Sequence, residues 1–141
     1  MNAAGSWSSV PNSQWSGVTV LSNASPWLAR VLRSVAALAT FPPEWDGYKS
    51  PAIQQAAVES ACRLLTAIEA EDLPVPQACP VPGGGLQIEW RAKNRELELE
   101  LTPDGQVEFL LVLEGCHMTE GRLSIHQVES VRSLVNWVLQ A

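Results

Sequence analysis

The stretch GLQIEWRAKNRELELELTPDGQVEFLLVL, residues 85–113, decides the fold. Leu86, Ile88 and Trp90 alternate with Gln87, Glu89 and Arg91, and Leu97, Leu99 and Leu101 alternate with Glu96, Glu98 and Glu100. Val107, Phe109, Leu111 and Leu113 then alternate with Glu108, Leu110 and Val112. A period of two with the apolar residues on one side marks a half-buried antiparallel sheet. Ala92-Lys93-Asn94-Arg95 reads as a four-residue hairpin loop, and Pro103-Asp104-Gly105 as a type I turn with glycine in the left-handed position. These loops set Trp90 opposite Leu97, Ile88 opposite Leu99 and Leu86 opposite Leu101. Across the second hairpin, Leu101 faces Val107, Leu99 faces Phe109 and Leu97 faces Leu111. A slip of one residue would throw the apolar set onto the wrong face.

Outward from the sheet, the flanking sequence is helical. Ser25 is placed to cap a helix whose first residue is Pro26, where a missing N–H costs nothing. Trp27, Leu28, Val31, Leu32, Val35 and Leu38 recur at helical spacing through Ala39, and Pro42-Pro43 ends the run. Ser50-Pro51 repeats the start signal for a second helix carrying Ile53, Ala57, Ala61, Leu64, Leu65 and Ile68. Residues 72–85 hold Pro74, Pro76, Pro80 and Pro82 followed by three glycines, and read as an extended polyproline-like connector. Residues 114–121 read as an irregular link. A third helix is expected from about His126 to Gln140, with Ser124 as its cap. The expected fold is α+β: a helical hairpin, a three-stranded antiparallel meander and a C-terminal helix, in the order α-α-β-β-β-α, with the helices covering one sheet face.

The first 25 residues are rich in Ser, Asn and Gly, with Trp7 and Trp15 as isolated aromatics. Such a stretch buries too little to offset its ordering entropy, so residues 1–25 read as a mobile arm and 26–141 as one domain. Gly17-Val-Thr-Val-Leu21 has the composition of a short strand if a sheet edge is available to it. A chain of 141 residues with 46% hydrophobic residues and a mean hydropathy of +0.02 suits a single compact fold. Net charge is −6 and pI near 4.8, which disfavours unaided non-specific nucleic-acid binding and favours encounter with a basic partner. The three widely spaced cysteines, Cys62, Cys79 and Cys116, point to free thiols in a reducing compartment. No secretory leader or membrane-spanning run is visible, so the expected address is the cytoplasm.

The same register sets Glu89 opposite Glu98 and Glu100 opposite Glu108, each like-charge pair unfavourable by up to about 1 kcal/mol. Leu110 and Val112 point outward among these charges. Read as a solvated outer face, the acids are screened by water. Read as a docking surface, they and the exposed apolar pair await a basic protein, with Glu89, Glu98, Glu100, Glu108, Leu110 and Val112 as partner-binding residues. A flat sheet converges poorly on a hard cation, so no metal, cofactor or catalytic residue is assigned there.

Between the first two helices lies Pro42-Pro-Glu-Trp-Asp-Gly-Tyr-Lys-Ser-Pro51. Asp46 can accept nearby backbone N–H groups and Gly47 tolerates positive φ, so Trp45 and Tyr48 project from a tight turn. They serve there either as a packed corner or as aromatic anchors for a partner. This loop, together with Pro82-Gly-Gly-Gly-Leu-Gln-Ile-Glu-Trp90, resembles a group of small uncharacterised bacterial proteins. Those share a W-D-G-Y-G-x-P loop and a P-x-G-G-x-Q-x-E-W strand entry. The resemblance covers residues 41–113, with Lys49 where a small residue is expected. It implies a bacterial defence or mobile-element context and supplies no catalytic residues.

The chemistry of catalysis is sparse. His117 and His126 are the only histidines, no G-x-S-x-G elbow occurs, and no ligand pair has zinc spacing. The expected function is a non-enzymatic protein-interaction module: an acidic adaptor, antitoxin-like inhibitor or accessory subunit of a larger protein with a basic surface, with homo-oligomerisation open. The alternative is a small hydrolase using Cys116 with His126, or glutamates with a divalent metal.

Overall fold

The computed structural model describes residues 25–69 and 73–141. The proposed arm, with Trp7, Trp15 and the Gly17-to-Leu21 segment, lies outside the described residues. In chain order the elements are α1 (Pro26–Leu38), α2 (Gln55–Ala67), β1 (Gln77–Val81), β2 (Gly85–Ala92), β3 (Arg95–Leu101), β4 (Val107–Leu113), β5 (Cys116–Leu123) and α3 (Val128–Leu139). The α+β class and the helix order are as expected, but the three-stranded meander is not. The sheet has five antiparallel strands in the order β1-β2-β3-β4-β5.

Both additional strands were hidden for physical reasons. In β1, Pro80 pairs with Leu86 at a sheet edge, one of the few positions where a strand tolerates a residue without an N–H. The prolines that suggest a polyproline connector therefore flank and enter an edge strand. In β5 all residues but Leu123 are exposed, so no apolar alternation announces it. Its cue is the dipeptide Glu114-Gly115, where both residues have positive φ (53° and 81°), the two-residue turn that suits the twist of a hairpin. Leu113 then pairs with Cys116.

The central register is the expected one. Trp90 pairs with Leu97, Ile88 with Leu99 and Leu86 with Leu101, and these last three pair onward with Leu111, Phe109 and Val107. The first hairpin is tighter than the expected four-residue loop: Ala92 pairs with Arg95, leaving Lys93 and Asn94 as the turn, with Lys93 at φ 54°. Helix α2 begins later than Ser50-Pro51 predicts. Residues 51–54 precede the helix, Gln54 is extended (φ −75°, ψ 144°), and its N–H donates to Gly84 O at 2.8 Å, which ties the helix entry to the β1–β2 turn. Ile53 still reaches the core from this segment.

Helix α1 lies over β1 and against α2, while α2 and α3 lie over β2 and β3. Trp27, Leu28, Val31, Val35, Ala57, Ala61, Leu64, Leu65, Val131, Val135 and Val138 meet the inner sheet face in one continuous core. Ser25 makes no side-chain cap; its backbone N–H instead donates to Glu69 at 2.6 Å, tying the start of α1 to the end of α2. Ser124 does cap its turn: its hydroxyl accepts the His126 N–H, and the Gln127 side chain accepts the Ser124 N–H at 2.7 Å. This reciprocal pair sits one turn ahead of α3 proper. Arg132 on α3 donates to Ala67 O at 3.0 Å, satisfying a carbonyl at the end of α2. Arg95 lies 4.8 Å over the Trp137 ring and donates to Trp137 O at 2.6 Å.

Trp90 is the largest fully buried side chain, and its indole N–H donates to Pro74 O at 3.2 Å, fastening the proline segment to the sheet. Trp90→Phe should lower unfolding free energy by about 1–3 kcal/mol, because it orphans that carbonyl and removes ring volume, as read by denaturant unfolding.

Candidate functional site

The outer sheet face follows directly from the register. Residues opposite in phase to the core all point away from the helices: Gln87, Glu89 and Arg91; Glu96, Glu98 and Glu100; Glu108, Leu110 and Val112; and, from β5, His117, Glu120 and Arg122. Six glutamates thus share the face with two arginines. Glu89 pairs with Glu98 and Glu100 with Glu108, as expected, and Leu110 lies between Glu98 and Glu120. A cleft of about 420 Å³ opens here, lined by Gln87, Glu98, Glu100, Glu108, Leu110 and Arg122 among others.

The arginines hold the two ends of this field. Arg91 contacts Glu96 at 2.9 Å and Glu89 at 3.6 Å, and Arg122 contacts Glu108 at 2.8 Å. Gln87 donates to Glu89 at 2.7 Å. Among the described residues, Glu98 and Glu100 have no such arginine. Partial burial, then a hydrogen bond with Glu96 and the charges of Glu96 and Glu89, raises the Glu98 pKa above the usual 4.5. Burial, then the charge of Glu108, raises that of Glu100. Each carboxylate is harder to ionise in the folded chain than in the unfolded one.

The structure therefore brings together Glu89, Glu98, Glu100, Glu108, Leu110 and Val112. It does not bring Trp45 and Tyr48 to them, since both belong to the connection between the helices that cover the opposite face. In that connection Asp46 accepts the backbone N–H of Tyr48 at 2.9 Å and the hydroxyl of Ser50, and these bonds, the Ser50 one foremost, hold its pKa below the usual value. Trp45 is half-buried with its ring 6.1 Å from that of Phe41, whereas Tyr48 is 86% exposed. Sequence reading missed Glu120 and Arg122, because the strand that presents them was not foreseen; the Glu114-Gly115 turn was the available signal.

Cys116 opens β5 and His126 lies beyond the far end of that strand, whose eight residues span roughly 25 Å. Cys79 pairs across from Gln87, and burial, followed by the charge of Glu89, pushes its thiol up to about 11, away from the nucleophilic thiolate. Among the described residues no group of three or more His, Cys, Asp or Glu is arranged to hold a metal ion. No helix among them is long and apolar enough to cross a membrane. No family model matches the chain, and neither a curated protein nor a solved structure matches it.

Raised carboxylate pKa values mean that the folded state binds protons more readily than the unfolded state. The contribution of Glu98 and Glu100 to stability therefore falls as pH rises from the usual 4.5 through their folded values. Glu98→Gln should gain about 0.2–1 kcal/mol near pH 7 and much less near pH 4.5, as read by denaturant unfolding at both pH values. In the helix connection, Trp45→Ala should cost about 2–3 kcal/mol and Tyr48→Ala less than about 0.5 kcal/mol in the same assay.

Proposed function

We propose that the protein is a non-enzymatic interaction module whose acidic outer sheet face docks onto a larger protein with a basic surface. The observation that carries this reading is a sheet face that no helix covers among the described residues, on which Glu98 and Glu100, without an arginine partner, have pKa values raised first by partial burial and then by the neighbouring glutamates. A solvated face has no need to hold Glu98 and Glu100 half-buried beside Leu110. A lysine- or arginine-bearing partner would convert this repulsion into attraction, and Leu110 and Val112 supply apolar contact at the centre of the patch. An adaptor, inhibitor or accessory subunit in a bacterial defence or mobile-element complex is the kind of protein this describes.

Partner binding favours the ionised acids, so affinity should rise with pH through the titration of Glu98 and Glu100. The test is affinity capture with the wild-type chain and with a Glu98→Lys/Glu100→Lys chain in parallel, followed by association kinetics of each protein that the wild type retains, measured with both chains. The double reversal should slow association at least roughly tenfold and flatten its salt dependence. A captured partner that binds both chains at the same rate, with the same salt dependence, would exclude the face.

A further inference from the structure

The two edges of the sheet are finished differently. The β1 edge carries Pro80 and lies beneath α1, two devices that discourage strand addition. The β5 edge has neither. Its eight residues contain no proline, seven of them are exposed, and the helices pack chiefly over β1, β2 and β3. From its register with β4, Thr119, Gly121 and Leu123 share the inner face, while Glu120 and Arg122 share the outer face.

We propose that β5 pairs antiparallel with β5 of a second copy of this chain, about a two-fold axis through Gly121, to form a continuous ten-stranded sheet. Charge complementarity selects this occupant and this register. Residues opposite one another in a sheet point to the same face, so an antiparallel self-pairing must centre on a residue. Centred on Glu120, it sets the two Glu120 carboxylates against each other; centred on Arg122, it opposes the two guanidinium groups. Centred on Gly121, it places Glu120 opposite Arg122 of the partner subunit, twice over, and Thr119 opposite Leu123. Arg122, already 2.8 Å from Glu108, then lies between two carboxylates.

The residue on the axis fits the same arrangement. Phe109 lies over Gly121 so closely that a Cβ there would fall 2.8 Å from the ring. Two such rings, one from each copy, would cover the glycine pair at the centre of the joint on its inner face. Among the described residues the helices pack chiefly over β1, β2 and β3, away from this end of the sheet.

The full chain should sediment at equilibrium at twice its 15.3 kDa. Amide exchange in β5 should slow as protein concentration rises. Arg122→Glu or Glu120→Arg, each alone, should weaken self-association roughly ten- to hundredfold, because both pairs become like-charged. Mixing the two variants should restore a dimer, since each then meets opposite charge at both pairs. A wild-type chain that stays monomeric to about 200 µM overturns the proposal. So does a dimer that neither variant weakens, or a pair of monomeric variants that do not combine. Slow β5 exchange that is independent of concentration in a monomer would assign the edge to another segment of the same chain and also overturn it. The exchange measurement needs no substitution, so a variant that fails to fold does not leave the question open.

Discussion

Trp90, Leu97 and Leu111 form one row across the sheet, Ile88, Leu99 and Phe109 the next, and Leu86, Leu101 and Val107 a third; the placement of every other element depends on these rows. A shift of one residue between β2 and β3 would turn Glu96, Glu98 and Glu100 toward the helices, where an unpaired carboxylate costs several kcal/mol. The core and the acidic face are thus one fact seen from two sides. Because the buried rows must be leucine, isoleucine, valine and aromatic, the glutamates are forced into adjacency on the other side, including two pairs that repel. Fold stability tolerates this at the surface, where the neighbouring charges add to partial burial in raising the pKa values of Glu98 and Glu100.

What could be read from sequence followed burial. Strands β2, β3 and β4 each have one covered face, so alternation in residues 85–113 gave their pairing residue by residue. Helices α1 and α3 have apolar stripes and were placed to within about two residues. The start of α2 was misplaced because Ser50-Pro51 mimics a cap, whereas Ser50 serves Asp46 instead. Strand β1 was obscured by Pro80, and β5 by the absence of any covered face to impose a period. Periodicity reports burial, not backbone conformation, so a strand exposed on both sides is silent in that signal. Only its turn, Glu114-Gly115, speaks for it. The part of the candidate face on β2 to β4 was legible on the same grounds, and the part on β5 was not.

The helical layer is narrower than the sheet. Three helices are enough for β1, β2 and β3, and β4 and β5 extend past them, with Phe109 only half-buried and Leu123 at the margin. The overhang separates two kinds of surface: a broad acidic plane suited to long-range attraction, and a narrow strand edge suited to backbone pairing. They share Glu108, Glu120 and Arg122, so occupation of one alters the electrostatics of the other.

Strand order in space equals strand order in the chain, and each connection between strands is a turn of two to five residues. Closing such short loops costs little chain entropy, and isolated hairpins form in roughly 1–10 µs. The sheet can therefore assemble by successive zippering from any of its turns, without waiting for a distant segment. The slow search belongs to α1, which must return to β1 across the whole of α2 and the proline segment. In such a topology the strand contacts are local in sequence and the helix contacts distant, so the loop-closure entropy of the fold falls on docking the helices rather than on pairing the strands.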